Sequence, residues 1–574
     1  MQQDTREPVR LVIWDLDRTF WDGTLTEEGY TYRQDVHDIV VALAERGIVS
    51  SICSKNDYET VKPILVQHGI WDYFVLPSIN WEPKGPRLAA IVEAFRLRAP
   101  TILFIDDNAA NLAEAQAALP GLQVADETVV PTLLESRLLR GKPDPAHTRL
   151  QHYRMLEQRH ADQTSVAASD NTNFLRDSDI RVSIDHDIET HIDRAIELIN
   201  RTNQLNFIKQ RLPEDIEAAG RVLRDMLAGF RVQAGLIRVR DRYGDHGFCG
   251  FYAISTGGSS RVLQQFCFSC RILNMGVEAW LYQRLGSPRL RVQGEVLSDP
   301  TKPQKIDWIS LEPPTGDDAA AALAAPEIAH VFARGGCELN ATMHYFSLVA
   351  DQIVGEFDAL RDGKRMIWQH SMFARYAIEG IGPEQRQAAC SLGYGGEDYN
   401  SYLAKPVTTS GTAVWIFSFV ADAGAKLYRH RQTGVMLPLA PTAQMMADDG
   451  PKAPLVDPAI AGEIAANWEF LNDTPEPDFK YNLRLILGQA PPGTHIFIIL
   501  PKEGHLNPQG AMYWHKPRVA LNKWTLEVIA DFPQVQAMRI VDFCADEERL
   551  KPGTHYDRMT YYRIYAHISA AIRR

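Results

Sequence analysis

Asp15 and Asp17 stand one residue apart at the end of the apolar run "RLVIW", residues 10–14, with Thr19 two residues further on. On an extended chain both carboxylates point the same way while Leu16 points to the other face. Two carboxylates so close repel unless a positive charge lies between them. A hard cation such as Mg2+ supplies that charge, keeps several waters and binds a substrate phosphate as well. Asp106 and Asp107 follow a second apolar run, "ILFI", and complete a metal set of Asp15, Asp17, Asp106 and Asp107. Asp15 is placed to attack phosphorus, and Asp17 to pass a proton to or from the leaving oxygen. Thr19, Ser54 or Lys55, and Lys84 in "WEPKG" are the candidates for holding the phosphoryl group, whose spread charge needs fixed donors. The plainer reading of each aspartate alone is a helix N-cap.

These residues need a scaffold that ends several strands at one edge. Residues 10 to about 125 alternate short apolar runs with helical patterns: "RLVIW", "DVHDIVVALAERG", "IVSSICSKND", then "APTILFIDDNAANLAEAQAAL". That rhythm predicts an α/β domain with a parallel sheet covered on both faces. Ligands in such sheets sit beyond the carboxyl ends of the strands, where the three polar clusters fall.

In order, D-x-D-x-T after the first strand, Ser after the second, Lys in "WEPKG" and D-D after "ILFI" resemble the signature of the haloacid dehalogenase (HAD) superfamily of phosphohydrolases and phosphotransferases. The resemblance implies a Rossmann-like fold, Asp15 as nucleophile, Asp17 as acid/base, and Mg2+ held by Asp15, the Asp17 carbonyl and Asp106. Two departures stand out. Arg18 occupies a place where Asn is common, and "NAANLAEA" lacks the acidic residue usual after the paired aspartates.

A second pattern follows: a helix in "IETHIDRAIELINRTNQLN", strands in "AGLIRVRDRY", "GFCGFYAIS" and "SRVLQQFCFSC", and a helix from about Met275. "RILNMGV" lies between strand and helix, where backbone amides at a helix start can hold a pyrophosphate or the phosphate of phosphopantetheine. Asn274 and Gly276 shape that turn, and Asn tolerates left-handed backbone angles. Cys270, beside Arg271 and the helix start, is set up as a nucleophile. A bulge at the strand end would decide which face it takes, while Cys267 reads as a buried small apolar residue. His246 in "YGDHGFCG" is a candidate base, or a loop residue. Asn203 and Asn206 are candidate substrate contacts or turn formers. Together "RTNQLNFIKQR", "VRDRYGDHGFCGFYAI" and "FSCRILNMGVE" resemble the FkbH-like family, which fuses a HAD-type phosphatase to a GNAT-like acyltransferase domain. That resemblance, over about the first 310 residues, implies transfer of a glyceryl unit from 1,3-bisphosphoglycerate through an enzyme cysteine to the phosphopantetheine thiol of a carrier protein. Asn274 stands where acetyltransferases carry the first glycine of their coenzyme turn.

After "LEPPTGDDAAAALAAPEIA", a Pro-, Asp- and Ala-rich linker, the run "VFARGGCELNATMHYF" places Cys337 at a strand-to-helix turn, and His555 precedes an amphipathic C-terminal helix. Nucleophile after the first strand and His before the last helix resembles, in outline, SGNH-type esterases and acyltransferases, a flavodoxin-like α/β fold. Cys replaces Ser, and Pro552 stands where an Asp is expected. A Cys–His pair can still transfer acyl groups; a domain that only binds a partner fits equally. Asn340, His370 and His505 are further candidates, each of which alone reads as a loop or packing residue.

The expected organisation is 1–150 HAD-like, 151–185 a connection, 186–312 GNAT-like, 313–329 a linker and 330–574 SGNH-like. A net charge of −12 argues against nonspecific binding to nucleic acid or membrane. Seven scattered cysteines without metal-ligand spacing, and no apolar signal core, point to a reducing, cytoplasmic setting. The expected partners are a phosphorylated three-carbon substrate and a separate acyl carrier protein, because no carrier motif stands in the chain. The other function reading is a HAD-type small-molecule phosphatase with accessory binding domains.

Overall fold

The structure, a computed structural model, describes residues 6–165, 171–257, 260–312, 328–336, 339–357, 359–361, 364–366, 370–392, 394–395, 399–406, 411–423, 427–438, 458–553 and 555–573. The chain divides into two compact units, residues 1–180 with 240–246, and residues 181–239 with 247–574.

The first unit is built on strands β1 (Leu11–Trp14), β2 (Val49–Ser54), β3 (Ser78–Ile79), β4 (Ile102–Ile105) and β5 (Gln123–Ala125). They pair in parallel in the order β3-β2-β1-β4-β5. Alternate residues feed two cores. Val12, Trp14, Ile52, Leu103 and Ile105 pack on one face, and Leu11, Ile13, Cys53, Ile102 and Phe104 on the other. A sheet buried on both faces must be apolar at every strand position, which is why "LVIW" and "ILFI" carry no alternation. Helices α1 (Gln34–Glu45), α2 (Tyr58–Gln67), α3 (Lys84–Phe95) and α4 (Ala109–Ala118) connect the strands. No folded insertion larger than the small hairpin of Asp22–Thr24 with Gly29–Thr31 separates β1 from α1. Gly23, at φ +90°, permits that hairpin: a side chain there would collide with the Gly29 carbonyl.

The polar stretch from residue 151 is not a bare connection. It continues helix α5 (Thr148–Ser165), and α6 (Asn171–Asp177) follows. Asp144 caps α5 through Thr148 N and Arg149 N, both 2.9 Å away. Leu150, Tyr153 and Leu156 pack against the β1–β4 core, so three apolar residues at helical spacing outweigh a polar composition.

In the second unit, a six-stranded sheet runs β11-β6-β8-β9-β10-β7, with β6 (Ile180–Asp185), β7 (Leu205–Asn206), β8 (Val232–Asp241), β9 (Gly244–Gly257), β10 (Ser260–Phe268) and β11 (Ile309–Glu312). Helices α7 (Ile192–Arg201), α8 (Ile216–Leu227) and α9 (Val277–Arg284) belong with it. Its second sheet is parallel, ordered β13-β12-β14-β15-β16, from β12 (Ile328–Gly335), β13 (Ala350–Phe357), β14 (Thr412–Phe417), β15 (His495–Leu500) and β16 (Val535–Arg539). Within that sheet the order is 2-1-3-4-5, a doubly wound arrangement. The expected linker at residues 313–327 lies outside the described residues.

Where three domains are expected, these two sheets share one unit, and a buried polar seam joins them. Tyr345 donates to Gln233 Oε1 at 2.8 Å, and Arg558 donates to the His186 carbonyl at 2.7 Å. His344 meets both Arg261 Nη2 (3.1 Å) and the Tyr252 hydroxyl (3.0 Å). Arginine can only donate, so Nδ1 accepts; the neutral ring then carries its proton on Nε2 and donates it to Tyr252. Burial holds His344 well below the ordinary range for histidine and pushes His186 down to about 4.

This seam makes the second unit acid-sensitive. As pH falls below the ordinary histidine value of 6.5, the unfolded chain binds protons that the folded seam refuses. Unfolding therefore takes up protons and stability drops, by about 1.4 kcal/mol per pH unit for each histidine, until about pH 4. Urea unfolding of the full chain from pH 7 to 4.5 should reveal this slope. His344→Gln, which can accept from Arg261 and donate to Tyr252, should remove one histidine's share of it; an unchanged slope in that variant would show that the seam does not titrate this way.

Candidate active site

The carboxyl ends of β1, β2 and β4 bring together Asp15, Ser54 and Asp106, and the first turn of α3 adds Lys84. Lys84 Nζ lies 2.5 Å from Asp15 Oδ1 and 2.6 Å from Asp106 Oδ2, with all three side chains buried. Burial alone would lower the ammonium's pKa, but two carboxylates outweigh it and raise it. Asp15 is pushed up to about 6, chiefly by burial, with Lys84 opposing and Asp106 adding to the rise. Burial and then Asp106 also raise the half-exposed Asp107.

Carboxylate oxygens of Asp15, Asp106 and Asp107 lie within 4.8 Å of one another. Three hard oxygen donors at that spacing, beside a buried ammonium, fit a small divalent cation that keeps part of its water. The Asp17 carboxylate is outside this group. Its Oδ1 accepts from Trp21 Nε1 (2.8 Å) and Leu25 N (3.0 Å), and its Oδ2 from Asn56 Nδ2 (3.0 Å). The chain turns sharply after Leu16, whose carbonyl accepts from residues 19, 20 and 21, with Arg18 in left-handed backbone at φ 54°.

Several expected phosphate ligands have other work. Buried Thr19 accepts from Asp107 N at 3.1 Å and so fixes the paired aspartates. Lys55 is exposed, with Nζ 3.4 Å from Asn111 Oδ1. Asn111 donates to both Asp106 oxygens, at 3.0 and 3.2 Å, from the segment that lacks the expected acidic residue. Arg18 pairs with Glu28 of the hairpin at 3.2 Å, where both are exposed. Asn56 and Trp21 were not among the sequence candidates. Asn56, in "SKND" beside Ser54 and Lys55, offered a local signal.

In the second unit, β10 ends at Phe268, so strand parity does not govern Cys270. Cys270 opens a short 3-10 turn with Arg271 and Ile272, and Ser269 Oγ accepts from Arg271 N at 3.4 Å. Its side chain is half-buried. The bulge in this hairpin falls instead at Ala253/Ile254. Cys267 is fully buried, its thiol pushed up to about 12 by burial. Asn274 takes left-handed backbone at φ 64°, and Gly276, at φ 78°, leads into α9. The turn thus has the shape expected of it. The space beside Gly276, however, is taken by the Trp308 indole, which donates to the Met275 carbonyl at 2.9 Å. Glu278 lies buried in the first turn, with burial raising its carboxyl.

His246, expected as a base for Cys270, lies at the start of β9, in the short stretch 240–246 that groups with the first unit. It is buried with Nε2 3.0 Å from Asp241 Oδ2, and Arg159 approaches the same oxygen at 3.9 Å. That pairing gives it a structural partner of its own. Asn206 is also structural: fully buried, it donates to the Ile199 carbonyl and accepts from Lys209 N. Asn203 is exposed.

In the parallel sheet of the second unit, Cys337 lies outside the described residues. His555 stacks on Phe230 with ring centres 4.1 Å apart, immediately before helix α10 (Arg558–Ile572) is capped by Asp557. Asn340 is exposed, His370 is buried, and His505 lies 3.1 Å from His515. Sequence reading missed a buried group after β13 and β14. Ser371 donates to Asp422, whose carboxyl burial pushes up to about 6, and Asn482 donates to Ser371 Oγ at 3.3 Å.

No protein-family model matches the chain, and no curated protein does. Among solved structures, phosphatases are similar to its N-terminal part. One is the N-terminal part of a Bacteroides fragilis protein containing a phosphatase domain complexed with Mg, at 21% identity and TM-score 0.21. That match covers 24% of this chain and 42% of the other, less than half of its length. A second is a cobalt-bound deoxy-D-mannose-octulosonate 8-phosphate phosphatase from Haemophilus influenzae, at 16% identity and TM-score 0.19, covering 29% of this chain and 96% of that one. No helix among the described residues is long and apolar enough to cross a membrane.

Proposed function

We propose that the first unit is a Mg2+-dependent phosphoryl-transfer site of HAD type, and that the whole chain is an acyl-transferring enzyme that uses it. The observation that carries the phosphoryl reading is the Asp15, Asp106 and Asp107 group with Lys84 between two of its members. Bound there, the cation would neutralise charge on the phosphoryl oxygens. The Asp15 carboxylate forms a bond to phosphorus as the bond from phosphorus to the leaving oxygen breaks, and Asp17 gives that oxygen a proton. Water then releases phosphate from Asp15, with Asp17 taking the proton back. Ser54 and Lys84 are the donors nearest the nucleophile.

The substrate in this reading is 1,3-bisphosphoglycerate. The Cys270 thiolate attacks its acyl-phosphate carbonyl, the acyl phosphate leaves and a 3-phosphoglyceryl thioester forms; the Asp15 site hydrolyses the ester phosphate, before or after this attack, and the thiol of phosphopantetheine on a separate carrier protein then takes the glyceryl unit and frees Cys270. Cys270 is half-buried at a turn rather than locked in the core, as Cys267 is, which supports this role. The Trp308 indole against Gly276 favours the other reading, a small-molecule phosphatase in which Cys270 is inert.

Two experiments separate these. Phosphate release from 3-phosphoglycerate should vanish in EDTA and return with Mg2+; metal-independent release would sink the phosphoryl assignment. Intact-mass analysis after incubation with 1,3-bisphosphoglycerate should find a glyceryl adduct that is absent from Cys270→Ala. Phosphate release without an adduct would leave only the phosphatase.

A further inference from the structure

Asn56 follows β2 by two residues and is fully buried. Its Nδ2 donates to Asp17 Oδ2 at 3.0 Å and to Ser54 Oγ at 3.2 Å, so both amide hydrogens go to residues of the candidate site. Its Oδ1 is buried with no partner among the described residues. Leaving such an acceptor dry costs about 1–3 kcal/mol, a cost that packing alone would not select when an apolar side chain could fill the same space.

The arrangement around Asp17 says what the amide does. Oδ1 is filled by Trp21 Nε1 and Leu25 N. Among the described residues Oδ2 has one hydrogen bond, from Asn56, and keeps a lone-pair direction for chemistry. With both oxygens tethered, the carboxyl group cannot rotate to exchange them. We propose that Asn56 is a positioning residue of the phosphoryl-transfer site, holding Asp17 so that Oδ2 is the oxygen that exchanges a proton with the leaving group, and tying it to Ser54. This rests on the proposed phosphoryl reading.

The balance of the step fixes the substrate class that depends on it. As the bond from phosphorus to the leaving oxygen breaks, its electron pair goes to that oxygen. A proton moves there from Asp17 Oδ2, and the Asp15 carboxylate takes phosphorus. An alkoxide is a poor leaving group and needs that proton; a nitrophenolate departs without it. Asn56 therefore equips the site for alkyl phosphate esters.

The test compares leaving groups in the full-length enzyme with Mg2+. In Asn56→Ala, the first-turnover rate of leaving-group release, which precedes the hydrolysis that Asp17 also serves, should fall about 100-fold for 3-phosphoglycerate, the lower range for losing a positioned acid. With p-nitrophenyl phosphate the same first-turnover rate should fall only a few-fold. Asp17→Asn should show the same selectivity more strongly. Should the alanine variant fail to fold, Asn56→Ser provides the same comparison. Equal losses on both substrates, or none on either, would overturn the role of Asn56 while leaving the phosphoryl site standing. Wild-type enzyme inactive on both would overturn the two together.

Discussion

Asp15→Asn is expected to lower phosphate release by at least about four orders of magnitude, since a nucleophile that forms a covalent intermediate has no substitute. The fold should survive. Asparagine has the same shape, and the change removes one of two carboxylates that face each other in a buried space. Lys84 keeps Asp106 at 2.6 Å as its counter-charge. The urea midpoint should therefore stay near that of the wild type while the rate collapses. Retained phosphate release would defeat the assignment of Asp15; an unfolded variant would show that the Asp15–Lys84 pair, and not only the chemistry, holds the sheet edge together.

Lys84→Met should have the largest effect on stability. It leaves Asp15 and Asp106, at 5% and 0% exposure, facing one another without a cation. Removing one partner of a buried ion pair while its carboxylates stay typically costs about 3–5 kcal/mol, a large part of the total stability of an ordinary domain. Because the site's carboxylates also suit Mg2+, the variant should regain part of that loss when the ion is added, and by a larger margin than the wild type gains. Urea unfolding with and without Mg2+ measures this. A variant as stable as the wild type in EDTA would mean that the carboxylates are already protonated and that the ion triad is not charged.

Much of this site could be read from local sequence, because each contributor sits just after an apolar run that ends a strand. Asp15, Ser54 and Asp106 stand at strand ends, and Lys84 at the start of the helix after β3. What those residues bond to was less visible. Thr19 looked like a phosphate ligand but supports Asp107, because the turn after Leu16 folds its hydroxyl back under the neighbouring loop. Asn56 went unnoticed because its purpose lies 39 positions away in Asp17. The helical 151–165 segment was hidden by its polarity. The union of the two later sheets was hidden for a different reason. It depends on pairs such as Tyr252 with His344 and Arg558 with His186, 92 and 372 positions apart, and no periodicity encodes such distances. Ser371 and Asp422, 51 apart, escaped in the same way.

The claim on which everything else depends is that the Asp15 carboxylate attacks phosphorus. It is tested most directly in Asp17→Asn, which should form the covalent intermediate from p-nitrophenyl phosphate yet hydrolyse it slowly. Rapid acid quench in the presence of Mg2+, followed by intact-mass and peptide mass analysis, should find one phosphoryl group on the peptide that carries Asp15. That adduct should be sensitive to hydroxylamine, as an acyl phosphate is, and absent when Asp15→Asn is added. Turnover with no phosphoryl group on the protein, or one mapped to another residue, would contradict the account.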